Sequence, residues 1–219
     1  MWRPFSIRCL LGRARSVNWA GVLGFSLPFI CLRPGQHAAN ASMQPSPTPQ
    51  ASQPDVIVVM GVAGCGKTVI GRLLAEQLGG EFFDADAFHS PENVALMRQG
   101  IPLDDEKRGP WLDRLARLID TAIDERRGIV LACSALKRSY RSRLGIGRRH
   151  VRLVHLDGTE TLLRERLEQR TGHFMPASLL ASQCALLERP TVDEAAITID
   201  IAAPPAVIVR SIVAALASH

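Results

Sequence analysis

Val56-Ile57-Val58-Val59-Met60 runs directly into Gly61-Val62-Ala63-Gly64-Cys65-Gly66-Lys67-Thr68, and this stretch decides the fold. A continuous apolar, β-branched run predicts a strand buried on both faces. The residues after it match GxxxxGK[ST] in full, a pattern that carries meaning when it joins a strand to a helix. A polyphosphate needs several backbone N–H groups converging on it, and glycines let the main chain fold that tightly. The helix that follows adds partial positive charge at its N-terminus. Gly61, Val62, Ala63, Gly64, Cys65, Gly66, Lys67 and Thr68 therefore read as a phosphate cradle for ATP or GTP. Lys67 is expected to bridge the β- and γ-phosphates, and the Thr68 hydroxyl to ligate Mg²⁺. Cys65 reads either as a redox-sensitive thiol or as a small side chain tolerated in the turn.

Outward from the loop, strands and helices alternate. Ile70, Leu73, Leu74 and Leu78 share one face of a helix over Lys67 to Leu78, and Gly79-Gly80 stops it. Glu81 to Asp84 reads as a second strand. Leu112, Leu115, Ile119 and Ile123 predict a helix from Trp111 to Arg127, with Pro110 at its start. Ile129 to Cys133, Val151 to Leu156 and Ile197 to Ile201 read as further strands, and Pro205 to Leu216 as a last helix. This alternation implies an α/β protein of the P-loop NTPase type, a three-layer sandwich with a parallel five-stranded sheet and a helical lid.

The strand from Ile129 to Cys133 ends in Ser134, with no carboxylate of the sort that many P-loop ATPases place there, and no Asn-Lys-x-Asp guanine-reading run occurs. Motor ATPases and switch GTPases are disfavoured. The carboxylates come instead from Asp84-Ala85-Asp86 at the end of the second strand. One suits hydrated Mg²⁺ and the other a substrate hydroxyl, since phosphoryl transfer needs mainly positioning and charge neutralisation.

Several separated motifs now line up. Phe83-Asp84-Ala85-Asp86-Ala87-Phe88-His89-Ser90-Pro91-Glu92-Asn93, then Gly100-Ile101-Pro102-Leu103 and Arg108-Gly109-Pro110-Trp111-Leu112, resemble the gluconokinase family. So do Cys133-Ser134-Ala135-Leu136-Lys137-Arg138-Ser139-Tyr140-Arg141, Arg170-Thr171-Gly172-His173-Phe174-Met175-Pro176, and the runs Leu179 to Gln183 and Leu187 to Pro190. The likeness covers about Val56 to Ala215. It implies a fold like the shikimate and nucleoside-monophosphate kinases and transfer of the ATP γ-phosphate to the 6-hydroxyl of gluconate. It further implies Asp84 near the metal, Asp86 on the substrate hydroxyl as base, and a possible homodimer. Lys107, where the family usually carries an acid, is a departure. Other small-molecule kinases of this fold, and a nucleotide-binding module without catalysis, are the competing readings.

A gluconate carboxylate calls for cations, and Arg108, Lys137 and Arg141 are the candidates, with His89 as a neutral polyol contact. Arg166 and Arg170 lie before the Gly172-His173 turn, where related kinases carry a mobile lid whose arginines neutralise the transferring phosphoryl group. Arg170 reads as catalytic and Arg166 as an ATP contact, although pairs with Glu165 or Glu168 would make them surface salt bridges. Trp111 reads as core rather than as a stacking platform.

Composition bounds the rest. The formal net charge of +5 equals the contribution of Arg3, Arg8, Arg13, Arg15 and Arg33, so the remainder is neutral and gives no charge argument for nucleic acid. Residues 1–42 read as translated sequence upstream of a start at Met43, as a targeting segment, or as an anchor. Residues 43–54, rich in proline, read as a disordered linker, and the kinase domain is expected over 55–219. The scattered Cys9, Cys31, Cys65, Cys133 and Cys184 show neither disulfide nor zinc spacing, which fits a reducing, cytoplasmic setting with no membrane required.

Overall fold

A computed structural model describes residues 56–169 and 178–218. Strands β1 (Val56–Met60), β2 (Glu81–Asp84), β3 (Ile129–Ala132), β4 (Val151–Asp157) and β5 (Ile197–Asp200) form one sheet in the order β2-β3-β1-β4-β5, every neighbouring pair parallel. The central place of β1 follows from its composition. Val56, Val58 and Met60 enter one apolar cluster and Ile57 and Val59 the other, so both faces are buried.

Helices α1 (Lys67–Leu78) and α7 (Pro205–Ala217) cover the face of Ile57 and Val59, through Ile70, Leu74, Ile208 and Ile212. Helices α3 (Asp105–Asp124) and α4 (Arg138–Arg143) cover the other face, through Trp111, Leu115, Ile119, Tyr140 and Leu144. The expected three-layer sandwich is therefore present. Because β1 leads to α1 on one face and β3 to α4 on the opposite face, a crevice opens outside the C-terminal ends of these adjacent strands. The phosphate loop stands at that point.

Helices α2 (Pro91–Arg98), α5 (Glu160–Glu168) and α6 (Ser178–Leu186) complete the set. The segments expected over 1–42 and 43–54, and residues 170–177 with Arg170, where a lid is expected, lie outside the described residues. Among the described residues no helix is long and apolar enough to cross a membrane.

Two element boundaries differ from expectation. The helix assigned to Trp111–Arg127 starts at Asp105, where the Asp104 side chain accepts from the Lys107 N–H at 2.8 Å. Pro110 thus sits inside the helix, where it has no N–H to give to the carbonyl four residues back. At the other end Arg126 adopts φ 54°, which ends the helix before Arg127. Lys107 does not enter the site and closes on Asp104 one turn back, both exposed.

Candidate active site

The loop after β1 has the backbone its glycines allow. Gly61 holds φ 145°, and a β-carbon there would lie 2.7 Å from Cys65 Sγ and 2.8 Å from the Leu156 carbonyl. Gly64, at φ 85°, packs against α5, where a β-carbon would meet the Leu163 carbonyl at 3.0 Å. Cys65 is 1% exposed and belongs to the core, which favours its reading as a small packing side chain. Cys133, at the end of β3, is also buried, and burial pushes its thiol up to about 12.

Lys67 begins α1, and its ammonium donates to the Val62 carbonyl at 3.1 Å. The next residue, Thr68, donates from Oγ1 to Asp84 Oδ2 at 3.0 Å. This bond joins the start of α1 to the end of β2, two elements brought together by the sheet order. The second oxygen of Asp84 accepts from the Asp86 N–H at 3.2 Å. Asp84 therefore starts a short 3-10 turn, Ala85–Phe88, that carries Asp86 on its exposed side.

Hard oxygens of Thr and Asp beside a phosphate loop suit Mg²⁺, which takes few protein ligands and fills its shell with water and phosphate oxygens. Among the described residues no group of three or more His, Cys, Asp or Glu forms a metal cage. The donor set fits a metal delivered with the nucleotide rather than a resident one.

Trp111 is core, as expected, and it also does something the sequence did not disclose. Its indole N–H donates to the Ala85 carbonyl at 2.8 Å, and its ring stacks on His89 with centroids 4.4 Å apart. One buried side chain thus sets the turn holding Asp86 and the plane of His89. His89 Nδ1 is buried without a hydrogen-bond partner, as is Arg114 Nε one helical turn beyond Trp111. Buried polar atoms in this condition mark a place where a ligand group or water completes the bonding. Burial, with the charges of Arg108 and Arg114, lowers the imidazole to about 4. An open cavity of about 430 Å³ borders His89, Pro91, Val94, Ala95, Arg98 and Gln99.

A measurable consequence follows for His89. By NMR its ring is expected to titrate near 4 rather than 6.5, and Arg108→Ala should raise that midpoint. The unfolded chain takes up this proton as pH falls below the ordinary histidine value while the folded chain does not, so stability drops between those two values. An unshifted midpoint near 6.5 would show the ring to be solvated.

The structure brings two of the three candidate carboxylate-binding cations together. Lys137 reaches both Asp105 oxygens, at 2.9 and 2.7 Å, and lies 5.5 Å from the Tyr140 ring centroid. Arg108 donates from Nε to the Leu103 carbonyl at 3.1 Å and lies 5.7 Å from the same ring. Tyr140 in turn donates to Asp105. The neighbouring cations and donors hold the Asp105 carboxyl below the usual carboxylate range, the Lys137 bond being the largest cause.

Arg141, the third candidate, is corrected. It is fully buried, its Nε and Nη2 meet Glu194 Oε1 at 2.6 Å and Oε2 at 2.9 Å, and its Nη1 is shared by the carbonyls of Ala135, Leu136 and Glu188. On this short helix the position after Tyr140 faces inward, so Arg141 braces the β3–α4 loop and cannot reach a substrate.

Arg166 donates to the Ile201 carbonyl at 2.7 Å, linking α5 to the loop after β5. Helix α5 ends at Glu168. Arg164 makes an exposed bridge to Glu160, worth a few tenths of a kcal/mol.

A family model described as an AAA domain matches residues 56–190. A probable gluconokinase of Xenopus tropicalis is 44% identical over 72% of this chain and 90% of its own length. A gluconokinase of Gluconobacter oxydans is 43% identical over 76% of this chain and 93% of its own. Among solved structures, a gluconokinase from Sinorhizobium meliloti has 44% identity and a TM-score of 0.68, covering 75% of this chain and 93% of that one. A sugar kinase from Janibacter reaches 47% and 0.71 over 75% and 95%. The APS kinase of Mycobacterium tuberculosis, 14% identical with a TM-score of 0.54 over 75% of this chain and 98% of that one, shares the fold alone. Identity of 43–44% across at least 90% of the length of these gluconokinases, on a sheet that sets the phosphate loop against the Asp84 turn, places this chain in the gluconokinase family.

Proposed function

We propose that this protein transfers the γ-phosphate of ATP to the 6-hydroxyl of D-gluconate, giving 6-phospho-D-gluconate and ADP. The observation that carries the reading is the Thr68–Asp84 bond at 3.0 Å, with Asp86 one short turn further along the chain. It sets a metal-competent oxygen pair and a second carboxylate beside the loop that grips phosphates.

In this reading the backbone of residues 61–66 and the Lys67 ammonium bind and charge-neutralise the β- and γ-phosphates. Thr68 and Asp84 would hold Mg²⁺, which would supply positive charge to the phosphate oxygens. Asp86 orients the gluconate 6-hydroxyl and takes its proton as the O6–phosphorus bond forms and the bond to the β-phosphate oxygen breaks. His89 contacts the polyol as a neutral imidazole. Arg108, with Lys137 behind Tyr140, receives the sugar-acid carboxylate. Arg170 neutralises the transferring group and Arg166 contacts the nucleotide. The domain spans 55–219, residues 1–42 are dispensable for turnover, and the enzyme works in the cytoplasm, as a homodimer.

A panel of sugar acids and shikimate, with ADP release coupled to NADH oxidation, tests the substrate assignment. Gluconate is expected to give kcat/KM at least about tenfold above the other acids. A faster reaction with shikimate or a nucleoside monophosphate would replace gluconate as substrate.

A further inference from the structure

One peptide unit of the phosphate loop is held from both sides. The Val62 carbonyl accepts from Lys67 Nζ at 3.1 Å, while the Ala63 N–H of the same peptide donates to Gln183 Oε1 at 2.7 Å. Gln183 lies 120 residues further along the chain, on α6. In a trans peptide the N–H and C=O point in opposite directions. An acceptor fixed on one side therefore decides where the carbonyl points on the other, and here it points at the ammonium that handles the phosphates.

Helix α6 is itself well anchored, so Gln183 is a firm support. Leu180 is 3% exposed in the core, and just beyond the helix the Glu188 N–H donates to the Leu136 carbonyl at 2.9 Å. The Glu188 carboxylate also accepts from the Arg138 N–H at 2.6 Å. On its other flank the loop rests on α5 through Gly64. The phosphate loop thus touches both helices that border the segment carrying Arg170 in sequence.

We propose that Gln183 is a positioning residue for phosphoryl transfer: by holding the Val62–Ala63 peptide in one orientation, it sets the resting place of the Lys67 ammonium. It acts through Lys67 and need not touch the nucleotide. Without this acceptor the peptide is held only from its carbonyl side, by Lys67 and by the Cys65 N–H at a long 3.4 Å, and Lys67 then meets the terminal phosphate from a broader set of starting positions.

The inference rests on the chain being an ATP-using kinase, and its test needs no sugar acid, so failure here is distinct from failure of the gluconate assignment. Gln183→Met keeps length and removes the amide oxygen. Binding of β,γ-imido-ATP and of ADP, each with Mg²⁺, is measured by calorimetry in the intact chain, alone and with Lys67→Ala. Affinity for the imido analogue is expected to fall about tenfold and that for ADP by less than about threefold. In the Lys67→Ala background the same change should have no further effect, because the group it positions is gone. If Q183M fails to fold, judged by its thermal midpoint, Gln183→Asn withdraws the oxygen by one methylene and the same ratio is read. Unchanged affinities, or equal losses with and without Lys67, would overturn the proposal.

Discussion

Asp86→Asn is expected to lower kcat for gluconate phosphorylation by about 10²–10⁴ while the affinity for ATP stays within about threefold. The reason is geometric. Asp86 stands on the exposed side of the turn that Asp84 initiates, and Asp84, not Asp86, bonds the phosphate-loop threonine. Asn preserves size and hydrogen bonding but removes the capacity to take the hydroxyl proton. The loss should therefore fall on turnover rather than on nucleotide binding. Asp84→Asn should behave differently, weakening the response to Mg²⁺ concentration because it alters the Thr68 partner. If D86N retained full kcat, the acceptor alcohol would have to be oriented by another group.

The second large effect is on stability. Arg141→Ala should destabilise the fold by about 3–5 kcal/mol, the usual cost of stranding one partner of a buried ion pair. Three backbone carbonyls lose their shared donor as well. Arg141→Lys should recover only part of this, since an ammonium cannot serve two carboxylate oxygens and three carbonyls from one plane. The Arg141 hydrogen bond holds the Glu194 carboxyl below its ordinary value. The linked stabilisation is fully present above the ordinary carboxylate pKa and is lost as pH falls through the lowered one. Urea melts from about pH 3 to 7 should therefore show a flatter acid limb for R141A than for the parent. A loss below about 1 kcal/mol would show that solvent reaches the pair.

These two residues show which parts of the molecule are legible in sequence. The loop, β1, α1 and β2 could be placed because each is local: an unbroken apolar strand, a glycine pattern, a helical stripe, a glycine stop. The Asp84-Ala85-Asp86 pair was readable as a pair at a strand end for the same reason, whereas its place beside the loop comes from the sheet order, in which β3 lies between β2 and β1. Helix α2 had an unread local signal in Ser90-Pro91-Glu92, a capping serine with proline at the first helical position; the Ser90 oxygen does accept from the Asn93 N–H. Pro110 misled because a proline that starts helices can also sit within one, and the true start depends on Asp104.

Arg141 could not be judged locally. Whether an arginine faces substrate or interior depends on its counter-ion, and Glu194 lies 53 residues away. The same holds for Trp111 with Ala85 and for Gln183 with Ala63, whose partners meet only after the chain has folded. Arg108, Lys137 and Arg141 are all cations of a type that suits a carboxylate, and residue type is as far as local reading goes. Only the fold sorts Arg108 and Lys137, gathered around Tyr140, from the arginine that holds the core together.

Phosphorus-31 NMR of the product made from ATP, Mg²⁺ and D-gluconate is the decisive measurement. A single phosphomonoester on carbon 6, formed in step with ADP, is the expected result. ADP accompanied by inorganic phosphate alone, or no turnover by protein that binds ATP, would contradict the phosphate loop and the Asp84–Asp86 turn acting together on a sugar-acid alcohol.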